Sequence, residues 1–373
     1  MRRLLISRLG ELCATGTMST AAAKSAIPTR RCGKGGGFEV PEVGVGCWSF
    51  GCGEGEYWGR RDQEDVNDVC LAALEYGSAF FDTAEVYQAG RSEESLAAAL
   101  SAAPPALSGK AVIATKIQPQ NCGDVRRYLD ASLKRLKRDS IYLYQVHWPI
   151  NNKTCGSGPI PDVGAVFKEL AALQSEGKIE HIGVSNFGVK QLREALATGA
   201  RIATNQLMYN LVSRAIEYEV MPLCQENDIG VICYSPLLQG LLTDKSAGKA
   251  FDELDVNRTR TRHFDGKRQK SRHGGPGCEA EMRAALDRVA AVARREGRSV
   301  SDLAMAWCLA DPRVVSIIPG AASRAQLEAN MGACRRPLSA EVKRELDEAT
   351  EAVKAALGDK IDYYVGDDDQ RSF

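Results

Sequence analysis

Short apolar runs and longer amphipathic stretches alternate along most of this chain. Strand-like runs fall at 42–47 (EVGVGC), 79–82 (AFFD), 111–116 (AVIATK), 141–146 (IYLYQV), 180–184 (EHIGV), 202–206 (IATNQ), 230–234 (GVICY) and 314–318 (VVSII). Between them lie stretches of helical length at 62–76, 92–102, 123–137, 162–177, 188–197, 213–228 and 279–296, and 300–310, 323–332 and 339–357 also read as helices. Gly77, Gly177 and Gly230 each close a helical stretch ahead of the next strand, which is a helix stop signal. Strand alternating with helix predicts an α/β fold with a parallel sheet. Eight such units favour a closed TIM (β/α)8 barrel over an open doubly wound sheet. GCGEG at 51–55 lacks the spacing of a dinucleotide fingerprint, so the open-sheet reading is weak. The glycine-rich TRRCGKGGGFEV before the first barrel strand predicts a β-hairpin at the barrel bottom, and the stretch 339–357 supplies an additional C-terminal helix.

The polar residues that close these runs all fall on one face of such a barrel. Cys47 and Trp48 follow the first strand, Asp82 ends the second with Tyr87 shortly after it, Lys116 ends the third and His147 follows the fourth. Ser185 and Asn186 follow the fifth, Gln206 ends the sixth, Tyr234, Ser235 and Leu237 follow the seventh, and Gly320 follows the eighth. Strand C-terminal ends are where barrel enzymes keep their chemistry. One connection, Leu237 to Cys278, is long, polar and rich in arginine and glycine, and it leaves that same face.

Composition narrows the picture. The 373 residues suit one large domain or two smaller ones, with residues 1–37 read as a leader, 38–357 as the barrel and 358–373 as a tail. No stretch approaches the ~20 apolar residues of a membrane span. Equal numbers of acids and bases, 48 each, argue against a general polyanion binder. The local basic run Arg258, Arg260, Arg262, Lys267, Arg268, Lys270, Arg272 reads as a lid or a solvated loop; it lacks the stacking aromatics that nucleic-acid binding needs. The 12 cysteines are scattered without a C-x-x-C pair, which fits reduced thiols better than a zinc ribbon or a disulfide scaffold. Cys47 sits at a strand end, where its thiol would face the site. Residues 1–37 carry seven bases against the single acid Glu11, the composition of an organelle transit peptide, plastid ahead of mitochondrion, or of a disordered leader. The acidic segment 366–373 reads as an exposed tail or a strip across a barrel face.

The strand-end set excludes several chemistries. It holds no nucleophile–base pair on a glycine elbow, no pair of unpaired carboxylates and no two-histidine metal pattern. A tyrosine beside a buried lysine is different. The phenol has an ordinary pKa of about 10, and a nearby ammonium is expected to lower it. Such a tyrosine donates a proton to a developing alkoxide. The aspartate holds the lysine, and the imidazole donates to a carbonyl oxygen. Carbonyl reduction fits this set, with a hydride from a cofactor, because no side chain supplies one.

With FDTAEVY, the ATK ending, QVHWP, KIEHIGVSNF, NQLMYN, YSPLLQGLLT and IIPGAASRAQLEAN in this order over 38–357, the chain resembles the aldo-keto reductases. The resemblance implies a TIM barrel that binds NADPH, or NADH, without a Rossmann motif. It implies the tetrad Asp82, Tyr87, Lys116 and His147, with Tyr87 as general acid. It implies that Ser185, Asn186 and Gln206 hold the nicotinamide carboxamide and that Tyr234 stacks on its ring. Ser235, Leu237, Gly240 and Leu241 would follow the pyrophosphate. Gly320, Ser323, Arg324, Gln326 and Asn330 would meet the adenosine end, with Arg324 set against a 2′-phosphate. Trp48 is placed with the cofactor set, and with Tyr57 and Trp58 it also reads as pocket lining or as packing. Ala329 stands where many relatives have Glu, which removes an adenine contact or passes it to Glu328. The implied partner is a small carbonyl compound, with no nucleic acid and no membrane. A second reading is a cofactor-binding regulatory subunit resembling potassium-channel β subunits; a third is a barrel scaffold without a cofactor.

Overall fold

The computed structural model describes residues 26–32, 37–249, 253, 277–365 and 369–373. The basic run Arg258–Arg272 and most of the 1–37 leader lie outside the described residues. The predicted hairpin is present: β1 (Thr29–Cys32) pairs antiparallel with β2 (Phe38–Pro41). Phe38 and Val40 join Phe80, Ala114, Leu143, Ile232 and Val315 in a small apolar cluster of their own, so the hairpin plugs the barrel bottom. Arg30 fastens it by donating to the carbonyls of Leu309, Asp311 and Val314 at 2.6, 3.1 and 2.7 Å. The Leu309 carbonyl ends the helix Val300–Leu309 and lacks a partner within it, and the same guanidinium reaches it together with the connection and strand carbonyls of Asp311 and Val314. β1 falls inside the segment assigned to the leader, so the folded domain reaches back past the predicted boundary.

The barrel follows in regular order. The first half is β3 (Val45–Gly46), α1 (Gln63–Glu75), β4 (Phe80–Asp82), α2 (Arg91–Ala102), the short α3 (Pro105–Ser108), β5 (Val112–Ile117), α4 (Val125–Leu136) and β6 (Ile141–Val146). The second half is α5 (Asn152–Cys155), α6 (Val163–Ser175), β7 (Ile179–Ser185), α7 (Val189–Ala197), β8 (Ile202–Met208), α8 (Val220–Glu226) and β9 (Gly230–Tyr234). Then come α9 (Glu279–Arg295), α10 (Val300–Leu309), β10 (Val314–Ile318), α11 (Arg324–Gly332) and α12 (Ala340–Leu357). β3 to β10 form one parallel sheet in sequence order. It closes through a parallel bridge between Val43 and Ile317 and the bond from Gly44 N to Ile317 O at 2.8 Å. Closure demands glycine at position 46, where a Cβ would stand 2.7 Å from the carbonyl oxygen of Ile318.

All eight predicted strands and nearly all the predicted helices stand within two or three residues of their expected places. The exception is 213–228, where a 3-10 turn at Ala215–Glu217 precedes a short α8. Pro222 explains the late start, because proline is tolerated only in a helix's first turn. The end of the chain is a strip across the barrel face, with Asp362, Gln370 and Ser372 buried. Among the described residues, no helix is long and apolar enough to cross a membrane.

Candidate active site

The floor of the site is built by strand alternation and register. Residues two apart on a strand face the same side. β5 therefore turns Ala114 and Lys116 inward together, and the parallel register sets Lys116 beside Gln145 of β6 and Ser185 of β7 beside Gln206 of β8. Lys116 is fully buried and donates to Asp82 Oδ1 at 2.5 Å, to the carbonyl of Thr83 at 2.7 Å and to the Tyr87 hydroxyl at 3.2 Å. The other carboxylate oxygen of Asp82 accepts from Gln206 Nε2 at 2.7 Å and Gln145 Nε2 at 3.2 Å. Both charges of this buried pair are thus hydrogen-bonded beyond each other, as the desolvation cost of a buried ion pair requires.

Tyr87 and His147 stand above that floor with ring centroids 5.5 Å apart, edge to face. His147 is held by its main chain, donating N–H to Ile117 O at 2.9 Å and accepting at its carbonyl from Asn186 Nδ2 at 3.1 Å. Its Nδ1 lies 2.8 Å from Gln118 Nε2. The four residues expected to act together are therefore brought together.

Electrostatics corrects one expectation. Burial, followed by the Asp82 charge and Cys47, pushes the Tyr87 phenol well above its ordinary value, where the sequence predicted a lowering by the lysine. The ammonium is committed to Asp82, and burial itself pulls Lys116 down. Tyr87 therefore keeps its proton at neutral pH and is a donor. Burial, then Lys116 and Arg371, hold His147 well below its ordinary 6.5, so the imidazole is neutral. The Cys47 thiol is buried, bonded to Val45 O and pushed up by that burial, which leaves it no reactive thiolate.

The residues read as cofactor ligands divide. Ser185, Asn186 and Tyr234 gather beside His147: the Tyr234 hydroxyl donates to Asn186 Oδ1 at 2.7 Å, and Asn186 Nδ2 donates to Ser185 Oγ at 3.1 Å. Gln206 lies deeper: its side-chain amide donates to Asp82, so its side chain belongs to the floor, while its main-chain carbonyl accepts from Ser185 Oγ at 3.0 Å. Ser235 has a left-handed backbone (φ 52), as do Leu238 (42) and Gln239 (54) in the same turn. Leu237 closes that turn by accepting from Gly240 N at 2.9 Å, while the Leu241 side chain is buried in the core. Trp48 is half-buried, stacks on Tyr57 at 5.6 Å and reaches Tyr87 at 6.0 Å, so it lines the mouth. Ser323 caps α11 by accepting from Gln326 N at 3.3 Å, and buried Asn330 donates to Gly320 O at 3.2 Å. Arg324 is engaged by acids in this structure. Its guanidinium binds Asp68 at 2.8 Å and Glu75 at 2.9 Å, with Glu328 at 3.9 Å, and a phosphate would have to displace these acids.

The sequence offered the last residues as a tail or a strip across a barrel face but named none of the contacts they make. Tyr364 faces Tyr234 with ring centroids 6.4 Å apart and packs edge-on against Trp148. Arg371 grips buried Asp362 with bonds of 2.6 and 2.8 Å and lies 3.7 Å over the Trp148 ring. Ser372 Oγ donates to Asn186 O at 2.5 Å, and Phe373 O accepts from Lys190 N at 2.8 Å. A Cβ at Gly188 would collide with that Phe373 carbonyl. Apart from the Arg371–Asp362 pair, no local pattern announces these contacts, because each joins positions more than a hundred residues apart.

Comparison with known proteins agrees with this geometry. The model of the aldo/keto reductase family matches residues 42–351. The chain is 34% identical over 304 residues to the aldo-keto reductase YhdN of Bacillus subtilis, covering 79% of this chain and 85% of that protein. It is 30% identical over 339 residues to the NADH-specific methylglyoxal reductase of Escherichia coli, covering 84% of this chain and 96% of the relative. Among solved structures, an aldo-keto reductase from Klebsiella pneumoniae in complex with NADPH superimposes with a TM-score of 0.61 at 28% identity, covering 88% of this chain and 95% of the other. The chain belongs to the aldo/keto reductase family, and it is an oxidoreductase of that class.

Proposed function

We propose that this protein reduces small aldehydes and ketones with NADPH, Tyr87 acting as the general acid. The observation that carries the reading is the buried ammonium of Lys116, which touches both the Asp82 carboxylate and the Tyr87 hydroxyl, with His147 beside the same ring. A neutral imidazole and a protonated phenol at one spot present two donors to a carbonyl oxygen. The proton that oxygen gains comes from Tyr87, and the fixed charge of Lys116 stabilises the phenolate left behind.

The donor set of the mouth suits a dinucleotide. Asn186 and Ser185 offer an amide and a hydroxyl to a carboxamide, Tyr234 offers a ring face, and the Ser323-capped N-terminus of α11 offers main-chain N–H groups to phosphate. Bound NADPH supplies the hydride. NADH is an alternative donor, and the name of the Escherichia coli relative makes it and methylglyoxal the first to try.

The test is NADPH oxidation across a panel of aldehydes, with Tyr87→Phe in parallel. The variant should lose about 10²–10⁴-fold in kcat while binding NADPH as the wild type does. Loss of cofactor binding together with activity would make Tyr87 structural. Tight cofactor binding by the wild type with no turnover would replace the enzyme by a regulatory subunit.

A further inference from the structure

We infer that Gln118 is a positioning residue that decides which nitrogen of His147 carries the ring proton. Gln118 lies two residues beyond Lys116 in extended backbone (φ −71, ψ 145), so strand alternation continues through it and its side chain turns to the same side. Its amide nitrogen stands 2.8 Å from His147 Nδ1. An amide N–H can only donate, so Nδ1 accepts and the proton sits on Nε2. That tautomer leaves an N–H on the other edge of the ring, free to donate to a carbonyl oxygen. The opposite tautomer would leave a lone pair there and repel it.

The surroundings fix both partners. The Gln118 main-chain N–H donates to Glu85 Oε1 at 2.8 Å, and the same oxygen accepts from Asn121 Nδ2 at 2.8 Å. Asn121 N in turn donates to Gln118 O at 2.9 Å. His147 is tied at its own main chain to Ile117 and Asn186. These bonds fix the main chains from which the amide and the ring extend toward each other. Glu85 is buried and serves as the anchor of the Gln118 backbone.

The inference rests on His147 being the residue that orients the carbonyl. Its test does not depend on turnover. Histidine-labelled ¹⁵N protein without cofactor would report the tautomer by NMR, with His147 assigned through its absence in His147→Gln. The wild type should show a pyridine-like Nδ1 and a pyrrole-like Nε2. Gln118→Glu places an acceptor at Nδ1 and should exchange the two signals, and Gln118→Leu should leave a mixture. Reduction by Gln118→Glu should fall about tenfold in kcat with NADPH affinity unchanged, the cost of one misdirected hydrogen bond. A wild-type ring protonated on Nδ1, or spectra unmoved in both variants, would overturn the inference. A wild type that shows the expected tautomer but reduces no carbonyl would instead remove the proposed function and leave Gln118's hold on the ring intact.

Discussion

The floor and the roof of this site are built differently. Asp82, Lys116, Gln145 and Gln206 make the floor from four strands of one sheet; all four are buried and hydrogen-bonded to one another or to the main chain. Trp48, Tyr57, Trp148, the strand-end Tyr234 and the segments 361–365 and 369–373 make the roof, joined across long sequence separations such as Tyr57 to Gln239 and Ser372 to Asn186. Backbone strain follows the roof. Of the eight non-glycine residues with positive φ among the described residues, Gln88, Ala89, Asn186, Ser235, Leu238 and Gln239 lie in loops at the strand C-terminal ends. Strain of this kind persists where surrounding structure enforces it, and it gathers at functional sites. The floor fixes charge, whereas the roof fixes shape.

Breaking the floor should cost most. Lys116→Met strands a buried Asp82 carboxylate among two amides, so the fold should lose roughly 3–5 kcal/mol in denaturant titration. Asp82→Asn combined with Lys116→Met should recover part of that loss, since no unpaired charge then remains. If both variants lose the same amount, packing rather than charge holds the floor.

The roof should break more gently. Arg371→Ala removes both bonds to the Asp362 carboxylate and the contact with Trp148, at an expected cost of about 1–3 kcal/mol. Because Arg371 precedes Ser372, which grips Asn186, NADPH affinity should weaken in the same variant while the floor survives. Weaker stability with unchanged NADPH affinity would show that the strip braces the barrel without shaping the cofactor mouth.

The smallest effect sharpens the comparison through pH. The pKa of His147 is depressed on folding, so the unfolded chain takes up a proton that the folded protein refuses. The linkage sign makes stability fall as pH drops below about 6.5, by up to roughly 1.4 kcal/mol per pH unit. Half-buried His181 shifts the same way, so the quantity to measure is the difference in slope between wild type and His147→Gln. An unchanged slope would mean that the imbalance in proton uptake belongs to other groups.

Strand positions, most helix spans, the closing hairpin and the placing of Asp82, Lys116 and His147 at strand ends were legible in the sequence, because each rests on local periodicity or on a residue at the end of an apolar run. Arg324 shows where that ends: its place at the start of α11 is readable, but its pairing with Asp68 and Glu75 of α1 depends on how two distant helices pack. Tyr87 shows the same for charge. A lysine placed beside it on the strand-end face suggested a lowered phenol, and burial decided the opposite.

By itself, then, the sequence determined the eightfold strand–helix order and which side chains reach the strand ends, since backbone period and polarity are local properties. Only the tertiary structure decided that Gln206 serves Asp82, that Gln118 meets His147, and that Tyr364 faces Tyr234. Desolvation, hydrogen-bond geometry and ring packing depend on what lies opposite in space, and closing the barrel is what brings those partners together.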